Sequence, residues 1–295
     1  MSAPRTSDQK ADVFVDGQAG VAEGPVWDAA RSRLVWTDIP AEVVHFTDFS
    51  TGADSQVETG GRVGAVVLRS EGGFVLAMEN EFVLTGTDVG IPESRTRVTE
   101  DPRFRFNDGK CDPAGRFLAG LAGTDGRWAT AGLYRFDPDG TTTEVVSGIS
   151  CSNGIGWSPE GSIMYYVDTP TYRIDCFDYD LETGVPSNRR LFAPVTEGYG
   201  RPDGLCVDAE GCVWVAIWGG YEVRRFSPEG TLLSRVSLPV SLVSSVAFGG
   251  PQLATLFITS SRDIPKHQIP REPLAGAIFR MEPGVTGLPV AAFAG

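Results

Sequence analysis

One motif returns six times along the 295 residues. Counted from Asn153 or Asp203 as position zero, it reads polar, Gly, apolar, any, large apolar, then Ser or Asp, with Gly again at position eight, as in "NGIGWSPEG" and "DGLCVDAEG". "EGPVWDAAR" at Glu23 keeps Trp27 and Asp28 in register. "NDGKCDPAG" at Asn107 keeps Cys111, Asp112 and Gly115, with its first Gly delayed by one place. "GAVVLRSEG" at Gly64 and "SSVAFGG" at Ser244 are fainter copies. The starts at 23, 64, 107, 153, 203 and 244 recur every 41 to 50 residues.

Behind each start comes a run rich in aromatic and β-branched residues: "RLVWTD", "GFVLAME", "RFLAGLA", "SIMYYVD", "CVWVAIW" and "LATLFITS". Turn sequences such as "SPEG", "DPAG" and "DAEG" separate the two, which is the signature of a hairpin. Weaker third and fourth strands follow, as in "GLYRFDPDGTTTEVV", and helix-period stretches are absent. Four short strands at this period describe a propeller blade. The expected fold is all-β, a six-bladed β-propeller with four-stranded blades. Residues 1–10 read as a tail and 11–295 as one propeller domain, with "ADVFVDG" sealing the ring against the last blade.

In a propeller the first strand of each blade lines the central channel. Glu23, Gly64, Asn107, Asn153, Asp203 and Ser244 then ring one mouth, and the antiparallel return brings Asp38, Glu79, Asp168 and Trp218 back to the same rim. Asn-Gly and Asp-Gly ordinarily mark turns. Here the turns are supplied further on, so the glycine is read as allowing close backbone approach and the residue before it as facing the channel. Glu23, Asn153 and Asp203 aim three oxygen-bearing side chains at one axis, and such crowding calls for a cation. Two carboxylates and an amide, without His or Cys, suit one hard divalent ion, Ca²⁺ first, with Mg²⁺, Mn²⁺ and Zn²⁺ also compatible. Three protein ligands leave positions open for water and substrate.

Charge narrows the partners. With 25 basic against 38 acidic residues the formal charge is -13, which repels phosphate backbones and anionic membranes, so neither nucleic acid nor membrane is expected. The opening residues carry no apolar leader core, and no uninterrupted apolar run reaches about 18 residues. The expectation is a soluble cytoplasmic protein. Cys111, Cys151, Cys176, Cys206 and Cys212 form an odd set without C-x-x-C, read as buried reduced thiols.

The motifs "EGPVWD", "RFNDGKCDPAGRFLAG", "SNGIGWSPEG", "RPDGLCVDAEGCVWVAIWGG" and "SSVAFGG...LATLFITSSR", in this order over nearly the whole chain, resemble the SMP-30 (regucalcin), gluconolactonase and LRE-like family of six-bladed propellers. The resemblance implies one divalent cation on Glu23, Asn153 and Asp203, Asp203 as general base, and Arg105 and Asn107 as substrate contacts. It extends more weakly to Asp125, because "AGLAG" departs from the family's usual "AGTM" and leaves the loop between Leu121 and Trp128 distinct. The implied activity is metal-dependent opening of a sugar (aldono-) lactone. The alternatives are hydrolysis of another lactone, an ester or an organophosphate on the same metal, and a calcium-binding propeller without turnover.

Other catalytic readings are thin. His45 and His267 are the only histidines, and no G-x-S-x-G or Gly-rich phosphate fingerprint occurs. His45 reads as structural or surface and His267 as part of a Pro-rich surface loop. Trp218 is assigned to the rim and Tyr221 to blade-edge packing. Asp38, Glu79 and Asp168 read as solvated strand ends or hydrogen-bond partners of channel backbone, and Asp108 as a brace for its loop.

Overall fold

The computed structural model describes residues 10–124, 129–195, 200–267 and 271–295. Among them run 24 strands, β1 to β24 in chain order, in six four-stranded antiparallel sheets. The inner strands are β2 (Ala22–Asp28), β6 (Val63–Leu68), β10 (Phe104–Cys111), β14 (Ser152–Trp157), β18 (Arg201–Val207) and β22 (Val243–Gly249). They are the six motif starts found in the sequence. The all-β six-bladed propeller is the observed fold, and helical structure among the described residues is confined to short 3-10 turns such as Thr169–Thr171 and Pro251–Leu253. No described helix is long and apolar enough to cross a membrane.

Burial falls from the axis outward. The second strand of a blade is covered on both faces, as in β7 (Phe74–Met78), where every residue is buried, which is why it reads as a continuous apolar run. The outermost strands β5 (Asp54–Glu58) and β9 (Pro92–Arg97) are polar and exposed. Charged outer edges of this kind, with Glu81 paired to Arg95 and Arg97, resist edge-to-edge association.

The ring closes with the N-terminal strand. β1 (Asp12–Val15) pairs antiparallel with β24 (Ile278–Met281), completing the sixth sheet, and the Arg280 guanidinium lies 4.8 Å from the centre of the Phe14 ring. The end of the chain then straps the far mouth of the channel. The Phe293 amide donates to Leu68 O (2.7 Å) and its carbonyl accepts from Ser70 N (2.8 Å), while its ring stacks on Phe136 at 5.2 Å. Beneath this strap the channel holds a cavity of about 380 Å³, lined largely by apolar residues such as Val66, Trp157 and Phe248.

Candidate metal and catalytic centre

In every blade the ladder between the inner strand and its neighbour slips at the same place. The shifts fall between Glu23 and Val26, Val63 and Ala65, Phe106 and Asp108, Ser152 and Ile155, Pro202 and Leu205, and Val243 and Val246. A bulge bends its strand and re-aims a side chain, so Gly64, Asn107, Asn153, Asp203 and Ser244 leave the ladder at the channel mouth, while Glu23 stays opposite Thr37 at the edge of its own slip. Gly154 and Gly204 show why glycine follows. A Cβ on Gly154 would stand 2.5 Å from the Asp203 carbonyl oxygen, and one on Gly204 would stand 2.0 Å from Ser245 Oγ. Inner strands of successive blades therefore meet where only glycine fits.

The three expected ligands are all buried: Glu23 is 4%, Asn153 5% and Asp203 4% exposed. Asn153 Nδ2 donates to Thr169 Oγ1 (2.9 Å), whose hydroxyl donates on to Pro202 O (2.9 Å), the residue before Asp203. The amide is thereby fixed with its oxygen free. Asn153 Oδ1 and Asp203 Oδ1 are both enclosed and accept no hydrogen bond. Among the described residues Glu23 accepts only the N–H of its neighbour Gly24, at 3.1 Å. Enclosed acceptors without donors cost roughly 1–3 kcal/mol each. Two on adjacent blades, beside the buried carboxylate of Glu23, make a set of oxygen donors whose chemistry fits a hard divalent cation.

Electrostatics agree. Burial first, then the negative charges of Asp203 and Asp108, push the Glu23 carboxyl well above its usual range, against the Gly24 N–H and Arg105. Burial and then Asp108 raise Asp203 in the same direction, against the Gly204 N–H. Burial lifts Asp108 to about 6, against Lys110 and the Gly109 N–H. Buried carboxylates, with Asp108 acting on both Glu23 and Asp203 and Asp203 on Glu23, are relieved by a cation among them.

Arg105 and Asn107 sit at the same mouth. Arg105 is half-buried and donates to Phe106 O (2.9 Å), and its charge is felt by Glu23. Asn107 Nδ2 donates to Ser152 O (2.8 Å), which ties blade three to the residue before Asn153 and leaves Oδ1 as the acceptor end of the amide. Asp125 lies outside the described residues. Cys151, half-buried, stands 4.0 Å from Asn107 Nδ2, a neighbour the sequence did not single out. All five cysteines are free.

The rim residues at position fifteen divide as expected for structural groups. Asp38 accepts from Gly20 and Val21 N–H, Asp168 from Ser150 and Cys151 N–H, and Glu79 from Arg62 N–H and its guanidinium. Each secures the backbone entering an inner strand. His45 stacks on Trp36 at 3.7 Å and pairs with Asp54 (2.6 Å), a structural role, while His267 is exposed in a turn. Trp218 is half-buried opposite Arg201 in the ladder. Tyr221 is not packed into the blade edge. It is 47% exposed, with its hydroxyl donating to Glu272 (2.7 Å). Asp108 does not brace a loop either, because the bulge keeps it within β10, where it lines the channel cavity.

A second acidic group, Asp208, Glu210 and Cys212, brings three ligand atoms within 4.8 Å of one another. Asp208 is already saturated there, accepting from Glu210 N, Cys212 N, Trp214 Nε1 and the Arg225 guanidinium. Its counterpart in blade three, Asp112, is likewise filled by Ala114 N, Arg116 and Tyr179 OH. Position five of the motif therefore knots the hairpin turn, and position zero carries the open acceptors.

Residues 21–262 match the family model described as "SMP-30/Gluconolactonase/LRE-like region". Regucalcin of Xenopus laevis is 37% identical over 97% of this chain and 99% of its own length. Among solved structures, a calcium-binding protein, regucalcin, from Agrobacterium tumefaciens is similar with a TM-score of 0.92 and 26% identity, covering 97% of each chain. A luciferin-regenerating enzyme is similar with a TM-score of 0.89 and 29% identity, covering 97% of this chain and 99% of that one. With its motifs, its six blades and this match in agreement, the chain belongs to the SMP-30/gluconolactonase/LRE-like family.

Proposed function

We propose that this protein is a divalent-cation-dependent lactonase that opens the ring of a sugar lactone. The observation that carries the proposal is the pair of enclosed acceptors without donors, Asn153 Oδ1 and Asp203 Oδ1, beside the buried carboxylate of Glu23. The family's description supports the reaction class, and the calcium-binding relative supports Ca²⁺ as the ion.

Glu23, Asn153 and Asp203 would hold the ion, which when bound supplies Lewis acidity toward the lactone carbonyl. Asp203 takes a proton from the attacking water as the water oxygen bonds to the carbonyl carbon. Burial disfavours its ionised form, which strengthens it as a proton acceptor, and a well-placed base contributes about 10²-fold to 10⁴-fold. The ring C–O bond then breaks and the departing oxygen takes the proton back, leaving the open-chain hydroxy acid. Arg105 offers donors and Asn107 Oδ1 an acceptor to the ring hydroxyls, orienting the carbonyl over the three ligands. Asp125 is assigned a further sugar contact, and five free thiols suit a cytoplasmic setting.

A panel of aldonolactones, simple aliphatic lactones and a phosphotriester, assayed by proton release with defined divalent ions, tests the assignment. Preference for the aldonolactones is the expected result. Turnover of the phosphotriester alone replaces the substrate class, and binding of Ca²⁺ with no turnover of any member makes the protein a calcium-binding propeller.

A further inference from the structure

Below the ring of ligands a second pair of charges faces the channel. Asp108 and Lys110 are two residues apart in β10, and both line the 380 Å³ cavity together with Cys111, Gly156 and Cys206. Lys110 Nζ donates to Leu205 O (2.8 Å), reaching from blade three to blade five. Its positive charge acts on Asp108 and on Cys206, and among the described residues it has no direct ion pair. One oxygen of Asp108 accepts the Gly109 N–H (2.6 Å), and the negative charge of Asp108 acts on both Glu23 and Asp203. Among the described residues the carboxylate oxygens of Asp108, Glu23 and Asp203 do not all lie within 4.8 Å of one another.

The charge balance is specific. Glu23, Asp203 and Asp108 supply three negative charges against the two positive charges of Lys110 and Arg105, so the set is net negative before a cation binds and Lys110 is the positive charge that lies with Asp108 in the channel. We propose that Asp108 and Lys110 are positioning residues that set the net charge of the pocket and so select a divalent over a trivalent cation. This rests on the metal-binding reading above. The Asp108 charge would add to the attraction of Glu23 and Asp203 for a cation, and the Lys110 charge, held by Leu205 O, would offset part of it. Charges separated by several ångströms in a buried channel shift affinity by about tenfold or more.

The test uses the full chain stripped of metal, titrated with Ca²⁺ and with Tb³⁺ by calorimetry. It compares the wild type with Asp108→Asn, Lys110→Met and the double variant, each checked for a cooperative melt. Asp108→Asn is expected to weaken Ca²⁺ binding about tenfold, and Lys110→Met to shift preference toward Tb³⁺ by about tenfold. The double variant restores the net charge and is expected within about twofold of the wild type for both ions, a cancellation that simple loss of structure does not produce. If Lys110→Met does not fold, the near-isosteric Asp108→Asn decides alone. A wild type that binds no divalent ion overturns the metal reading. A wild type that binds while the single variants stay within twofold of it, or while the double variant shows added losses, overturns this inference only.

Discussion

Asn153 Nδ2 donates to Thr169 Oγ1 at 2.9 Å, and this bond decides which end of the amide faces the channel. Removing the hydroxyl while keeping the side chain's shape, as in Thr169→Val, frees the amide to turn its NH₂ group toward the cation. Loss of one hydrogen bond is worth about 0.5–1.5 kcal/mol. Divalent affinity is therefore expected to fall by about 2-fold to 10-fold in a calorimetric titration. Thr169→Ser, which keeps the hydroxyl, is expected to bind like the wild type.

Gly154 is closed on by the next blade, its missing Cβ facing Asp203 O at 2.5 Å and Leu205 N at 2.6 Å. Both neighbours are backbone and cannot rotate away. Gly154→Ala must push β18 outward and carry Asp203 with it. A loss of about 1–3 kcal/mol in urea unfolding is expected, together with weaker metal binding, since the same displacement moves a ligand.

Buried carboxylates without a counter-ion oppose folding, so the site trades stability for binding. Asp203→Asn removes one of these charges and keeps the shape. Without metal this variant is expected to melt above the wild type. With divalent ion at a hundred times its dissociation constant the wild type gains about 2.7 kcal/mol, and the order of the two melting temperatures reverses. Scanning calorimetry with chelator and with Ca²⁺ measures both, and a variant that gains as much from Ca²⁺ as the wild type would contradict the assignment of Asp203.

Ring closure rests on β1, whose Phe14 packs on Phe257 at 5.2 Å and under Arg280. Deleting residues 1–16 leaves β24 as an open edge. The shortened chain is expected to melt several degrees lower and to associate in a concentration-dependent way in sedimentation, because unpaired edge strands recruit other chains.

Much of this was legible in the sequence because the constraint at each motif start is local. A polar residue followed by glycine, ahead of an apolar strand and a separate turn, has few uses other than facing an axis where backbones nearly touch. That logic located Glu23, Asn153 and Asp203 on the channel rim. The bulge itself was not legible, since register between strands depends on the partner strand and not on the motif alone. Asp108 was misread for this reason: without the slip between Phe106 and Asp108 an adjacent residue would point away from the axis. Tyr221 was misassigned because its hydroxyl partner, Glu272, lies 51 residues away in another blade. The strap formed by Phe293 and its neighbours was missed because "PVAAFAG" carries no strand pattern.

Lactone hydrolysis by the stripped protein, followed by proton release as a divalent ion is returned in steps, probes the site directly. No turnover is expected at the start, with full rate reached at one ion per chain and no recovery in Glu23→Gln or Asp203→Asn. Full-rate hydrolysis by the stripped wild type would contradict a cation-dependent centre built on these three residues.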